Sequence, residues 1–267
     1  MPKKVLILYI TMFSGHHRAA MAVERALNAL DPAIEVLSIN SFNYTNPVLE
    51  KIINAAYMGV IKKTPEVWEY LYDNPKVVKS TKKIKDFIHK YNSKKLRVII
   101  EDFKPDVIAC TQAFPCGMVA DYKTSLGLDV PLVGILTDFY PHAYWIYEKV
   151  NRYVVATDEA KQRLIEDGIA EEKIDVFGIP IDIKFSATNG QKHEIKKKYS
   201  LAQDKTTVLV MGGGQGLGPV KGVVHFLGRL QSNVQIIVIT GTNKKLHKIC
   251  LLYTSDAADE EDSVDLG

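Results

Sequence analysis

Cysteine is scarce in this chain of 267 residues, and that limits its chemistry. Cys110, Cys116 and Cys250 are odd in number and have no framework spacing, which excludes a disulfide scaffold. They read as reduced, packed thiols of a cytosolic protein. Neither Cys110 nor Cys116 has a histidine pair at zinc-ligand spacing, so no metal site is expected. No run approaches the roughly 18 apolar residues of a membrane span. After Lys3-Lys4 a strand meets its helix, with none of the apolar core of a signal peptide. If such a protein works at a membrane, it lies on it. The glycine-rich stretch at 212–218 is not followed by the Lys-Ser/Thr pair of a Walker loop. The next strand ends in Thr240-Gly241, where a dinucleotide fingerprint has an acidic residue.

What is present is an ordinary globular composition, 46% hydrophobic and 24% charged, enough for one large or two medium domains. The net charge of +3 hides an asymmetry. Asp256, Asp259, Glu260, Glu261, Asp262 and Asp265 crowd the last twelve residues, leaving a body of about +9, which favours an anionic partner.

The chain opens with Val5-Leu6-Ile7-Leu8-Tyr9, apolar without alternation, as a parallel strand buried on both faces requires. Ser14-Gly15-His16-His17 follows, then a helix with Ala19, Ala20, Val23, Ala26, Leu27 and Leu30 at helical spacing. Gly15 is expected to allow a tight turn and the close approach of a ligand. Residues 34–39 read as a second strand, so a right-handed βαβ unit is predicted. Residues 41–75 interrupt the alternation with two helices rich in apolar and aromatic residues, Trp68 among them. They form either a packed helix pair or an apolar surface that docks on lipid or a greasy substrate. A basic amphipathic stretch from Lys76 to Arg97 follows, including Lys79, Lys82 and Lys83. It is a solvated face, a membrane-surface contact or, with no RNA-binding signature to support it, an RNA contact.

Strands are then predicted at 105–110, 130–136, 153–156 and 174–177, with Thr157 capping the helix after the third. The polar, lysine-rich texture from Phe185 to Asp204 marks a domain boundary. A second unit repeats the opening theme: strand 206–211, the glycine loop, a helix from Val220 and strand 234–240. A further helix begins at Asn243. From Leu251 the apolar periodicity ends, and the segment reads as a non-native tail, of the kind a translated adapter read-through leaves.

Three groups of residues carry candidate chemistry. His16 or His17, at a helix start on the carboxyl edge of a sheet, can act as a general base near neutral pH. Asp138 ends a different strand at the same edge and can orient an imidazole. His142, Tyr144 and Trp145 follow as an aromatic wall for a sugar ring or acyl chain. The stretch from Gly212 to Gly218 offers backbone N–H groups that suit a diphosphate.

Several segments, taken in order, resemble the monogalactosyldiacylglycerol synthase and processive diacylglycerol glucosyltransferase family over the chain to about residue 248. They are Gly15-His16 with Ala19-Ala20; Thr137-Asp138-Phe139 with His142 and Trp145; residues 151–158; Gly178-Ile179-Pro180-Ile181-Asp182; and Gly212-Gly213-Gly214-Gln215-Gly216. The resemblance implies an α/β protein of the GT-B fold, two Rossmann-like domains facing a cleft, the second incomplete. The expected organisation is an acceptor and membrane-binding domain over 1–183 and a linker over 184–205. The start of a UDP-sugar domain over 206–250 and a non-native tail over 251–267 complete it. It implies an inverting hexosyltransferase that moves a sugar from UDP-glucose or UDP-galactose to diacylglycerol, with no metal and no further cofactor. His16 matches the family's proposed base; His17 stands where the family does not usually have histidine. Asp138 joins His16 as a catalytic candidate; Gly15, His142 and Trp145 fall on the acceptor side. Gly212, Gly213, Gly214, Gln215 and Gly216 fall by the donor diphosphate. Trp68, Lys79, Lys82 and Lys83 would meet an anionic lipid surface, placing the protein on the cytoplasmic face of the cell membrane without nucleic-acid partners. The family's later donor motif would lie beyond residue 250, so weak donor binding by this chain is expected. Two alternatives remain: an N-acetylglucosamine transferase acting on a lipid-linked muramyl-pentapeptide, and a non-catalytic membrane- or RNA-binding protein.

Overall fold

The apolar run at the start of the chain sets the layout. The computed structural model describes residues 2–10, 14–45, 96–185, 192–230 and 233–255, and in it Val5 to Ile10 are all buried. The first unit is built on β1 (Lys4–Tyr9), β2 (Glu35–Asn40), β3 (Val107–Cys110), β4 (Leu132–Ile135), β5 (Arg152–Val155) and β6 (Ile174–Val176). They form one parallel sheet in the order β2-β1-β3-β4-β5-β6. The chain leaves β1 toward β2 and returns on the opposite side to β3. The order therefore reverses between β1 and β3, the place where open α/β sheets collect ligands outside the strand carboxyl ends.

Alternation along β1 feeds two cores. Leu6 and Leu8 pack with Ile108, Cys110 and Leu132 under Cys116, Met118 and Val119 of a helix at Ala113–Leu126. Val5, Ile7 and Tyr9 pack with Ala109 and Ile135 under Ala20, Val23 and Leu27 of α1 (Gly15–Leu30). Each fully buried Leu or Ile here is worth about 1.5–3 kcal/mol of transfer free energy. The apolar stripe of α1 is shorter than the sequence predicts. Ala26 is exposed and Leu30 is 80% exposed, because the last turn runs out into the exposed turn at 31–33.

Next in chain order come α2 (Ser41–Thr45), a helix α3 over 96–103, the helix Ala113–Leu126 as α4 and α5 (Asp158–Glu166). Leu96, Ile99 and Ile100 bury α3, while Arg97 stays exposed and pairs with Glu101 one turn on. The expected helices at 46–75 and the basic residues 76–95 lie outside the described residues. Thr157 caps α5 as predicted, its hydroxyl accepting from the Ala160 N–H at 3.2 Å. Asp182, after β6, is ion-paired with Arg25 and ties the end of this unit back to α1.

A second compact unit begins after Ala187. Its first element is α6 (Lys192–Lys198), within the polar stretch. Lys196 of α6 is buried and donates to the Gln203 and Lys205 carbonyls at 3.1 and 2.5 Å. Then β7 (Thr206–Met211), α7 (Val220–Gly228), β8 (Val234–Ile239) and α8 (Lys244–Ser255) follow. The two strands pair in parallel, and Val220, Val224, Leu246 and Cys250 pack on Val210 and Val238. The last helix continues to Ser255, past the break expected after Cys250.

Candidate functional site

Three neighbouring strands deliver polar residues to one carboxyl edge: β1 leads to His16, β3 to Thr111 and β4 to Thr137 and Asp138. Ser14 fixes the start of α1. Its hydroxyl donates to the Ile10 carbonyl at 3.1 Å and accepts the His17 N–H at 3.2 Å, a capping bond worth about 1 kcal/mol. Gly15 has an ordinary φ, and among the described residues a Cβ there would meet nothing within 4 Å. The turn itself does not require glycine at this position, contrary to the sequence expectation. What its absent side chain leaves is open space beside His16.

The two histidines differ in their surroundings. His17 is buried with its ring against Tyr9, centroids 4.7 Å apart, and is a packing residue. His16 faces the loops. Its Nδ1 lies 3.0 Å from the Thr111 carbonyl oxygen and 2.7 Å from Thr137 Oγ1. A carbonyl can only accept, so Nδ1 carries the proton and Nε2 keeps its lone pair. Thr111 also donates its hydroxyl to the His16 carbonyl at 2.9 Å, fixing backbone and ring together. Burial lowers the His16 pKa; the Asp138 charge and the Thr111 carbonyl oppose it without overcoming it. Asp138 is raised by its own burial, partly offset by His16. The neutral imidazole is therefore favoured, as a base requires.

This corrects the expected role of Asp138. Its charge acts on His16, but the hydrogen bonds that orient the ring come from Thr111 and Thr137. Trp145 also departs from expectation. Its indole is fully buried in the larger core, so it is not an exposed wall for a substrate. His142 is buried as well. Its Nδ1 accepts the Tyr144 N–H at 3.3 Å and caps a 3₁₀ turn at Ala143–Trp145. Tyr153 straps this turn to the sheet: its hydroxyl donates to the Trp145 carbonyl at 2.8 Å and accepts the Tyr147 N–H at 3.2 Å. The exposed aromatics beside the site are Phe139 and Tyr140, which the sequence reading assigned no role. Polar residues ending two adjacent apolar strands were the available signal for Thr111 and Thr137.

In the second unit the glycine loop divides its glycines between two tasks. A Cβ on Gly212 would come 2.6 Å from the Leu217 carbonyl, one on Gly216 would overlap the Thr240 carbonyl, and one on Gly241 would overlap the Gly214 carbonyl. These glycines let the turns after β7 and β8 interlock. Thr242 N–H donates to the Gly214 carbonyl at 3.0 Å, and Asn243 Nδ2 to the Gly216 carbonyl at 3.0 Å. The Gln215 amide oxygen lies 3.3 Å from Thr242 Oγ1. Gly213, Gly214 and Gln215 are exposed, and their N–H groups have no hydrogen-bond partner among the described residues. Trp68, Lys79, Lys82 and Lys83 lie outside the described residues. No helix among the described residues is long and apolar enough to cross a membrane.

Residues 16–181 match the family model described as monogalactosyldiacylglycerol (MGDG) synthase. The chain belongs to this family. It is 32% identical over 245 residues to a processive diacylglycerol beta-glucosyltransferase of Bacillus pumilus (strain SAFR-032), covering 91% of this chain and 62% of the relative. A protein of the same name from Bacillus cytotoxicus is 33% identical over 245 residues, with 91% and 61% covered. The chain thus spans about three fifths of the length of these curated relatives. Among solved structures, the S. aureus MnaA-UDP co-structure aligns with a TM-score of 0.55 at 16% identity, covering 99% of this chain and 68% of that one. MurG of Acinetobacter baumannii aligns with a TM-score of 0.52 at 14% identity, covering 96% and 63%. These likenesses are of fold, and the fold is GT-B.

Proposed function

We propose that this chain carries the acceptor-side machinery of an inverting glycosyltransferase that moves a hexose from a UDP-sugar to diacylglycerol at a membrane surface. The observation that carries the reading is the His16 imidazole, whose Nδ1 meets the Thr111 carbonyl and the Thr137 hydroxyl so that Nε2 is left to accept a proton, with burial favouring the neutral ring. In the reaction Nε2 takes the proton of the acceptor hydroxyl as its oxygen attacks the anomeric carbon and UDP departs. Asp138 stabilises the imidazolium so formed. The open N–H groups of Gly213, Gly214 and Gln215 suit the departing diphosphate, and α7 follows with no side-chain cap competing for its first turn. The acceptor follows from the names of the relatives. Phe139 and Tyr140 supply apolar surface for its acyl part. The basic residues 76–97 would hold the protein on an anionic leaflet at the cytoplasmic face, each contributing about 1 kcal/mol near the surface.

The test is transfer of labelled sugar from UDP-glucose and UDP-galactose to an acceptor panel. Diacylglycerol and a lipid-linked muramyl-pentapeptide are both included, with the 267-residue chain and with a version continued to the length of its relatives. His16→Ala should lower transfer to diacylglycerol by about 10²- to 10⁴-fold. Transfer persisting near the wild-type rate would remove His16 as base, and transfer only to the peptide-linked lipid would replace the acceptor.

A further inference from the structure

We propose that Thr137 is a positioning residue for His16: while the Thr111 carbonyl keeps the imidazole proton on Nδ1, the Thr137 hydroxyl accepts from that N–H and holds the ring with Nε2 as the proton-accepting atom. The proposal rests on the reading of His16 as a base, and its test does not require transfer to occur.

Two acceptors from adjacent strands converge on one nitrogen. The Thr111 carbonyl stands 3.0 Å from Nδ1 and Thr137 Oγ1 stands 2.7 Å from it. A neutral imidazole has a single N–H, and the carbonyl can only receive it. With the proton on Nε2, that carbonyl would face a lone pair. The shorter contact belongs to the hydroxyl, which receives from the same N–H and fixes the rotation of the ring. β3 and β4 are paired in register from Ile108↔Leu132 to Cys110↔Gly134, so the two acceptors ride on a rigid frame.

When Nε2 takes a proton the ring becomes cationic, and Nδ1–H becomes a charge-assisted donor. Both contacts then strengthen. Neutral acceptors at Nδ1 therefore favour the protonated product while raising the proton affinity of the resting ring less than a carboxylate bonded to Nδ1 would. Thr137 and Asp138 divide the work that one aspartate performs in a Ser-His-Asp triad. The threonine gives direction and the aspartate gives charge.

Nitrogen-15 NMR of the histidine rings in the 267-residue chain tests this, with the His16 signals identified by their loss in His16→Gln among the seven histidines. In the wild type near neutral pH the proton should lie on Nδ1. Thr137→Ser should preserve both this tautomer and the titration midpoint. Thr137→Val, of nearly equal shape, should keep the Nδ1 tautomer, which the Thr111 carbonyl sets, and lower the midpoint by about one pH unit. A wild-type proton on Nε2, or a Thr137→Val midpoint equal to or above that of the wild type, overturns the proposal. If Thr137→Val fails to fold by its amide spectrum, the wild-type tautomer and the Thr137→Ser midpoint decide. A correct tautomer together with undiminished transfer by His16→Ala would instead leave this geometry standing and refute the proposed function.

Discussion

Gly216 stands against the carbonyl of Thr240 so closely that the two turns of the second unit can interlock only while residue 216 has no side chain. Its φ of 58° adds a left-handed backbone. Gly213 also has a positive φ, 66°, yet among the described residues a Cβ there would meet nothing within 4 Å. The pair separates backbone strain from collision. Gly213→Ala should cost about 1–2 kcal/mol, the left-handed penalty alone. Gly216→Ala should cost more and should loosen β7 and β8 together. Hydrogen exchange of the β7 and β8 amides in the two variants checks this; equal exchange would show that the interlock contributes nothing.

Tyr153 holds the 3₁₀ turn from behind. Its ring lies over Gly134, where a Cβ would come 3.1 Å from Cδ1, and its hydroxyl meets Trp145 and Tyr147 backbone groups. Tyr153→Phe keeps the ring and removes the hydroxyl, stranding the Trp145 carbonyl. The expected loss is about 1–3 kcal/mol in urea unfolding. An unchanged midpoint would mean that the strap carries no stability.

Much of this was legible in the sequence because the strands are short apolar runs and a parallel sheet buries both faces. The same logic gave the glycine loop and the cap at Thr157. Side-chain geometry was not legible. A Thr-Asp pair at the end of a strand gives no indication of which residue reaches the imidazole, and Asp138 is the obvious choice by charge. Trp145 likewise follows Asp138 closely in sequence, but the 3₁₀ turn at His142 rotates its indole inward. Gly15 reads as a turn residue because glycine usually is one; its ordinary φ and the open space around it among the described residues show otherwise.

Burial depresses the pKa of both His16 and His17 below 6.5. Between the depressed folded values and 6.5 the unfolded chain binds more protons than the native one. Stability therefore rises with pH through that window and is lost as pH falls below 6.5. The raised carboxyl of Asp138 acts in the opposite sense in a lower window that begins at the ordinary value of 3.8. His17→Phe keeps an aromatic ring against Tyr9 and removes one titrating group. Urea unfolding at a series of pH values should show a shallower acid decline in this variant. A decline as steep as that of the wild type would assign the effect elsewhere.

Gly15→Ala gives the sharpest separation of folding from function. Residue 15 is the first of α1, its φ is ordinary, and the space around its missing Cβ is open among the described residues. The packing of the described residues gives no reason for glycine there. Alanine should leave stability unchanged or raise it by about 0.4–1 kcal/mol, through a less flexible unfolded chain. The same methyl would stand beside His16, at the carboxyl edge where the proposed reaction brings the acceptor hydroxyl to Nε2. The expected outcome is an unchanged or raised melting temperature together with a raised acceptor KM, measured in the version continued to the length of its relatives. If the variant is at least as stable and its KM for diacylglycerol is unchanged, the acceptor does not pass over residue 15, and the open space beside His16 has another use.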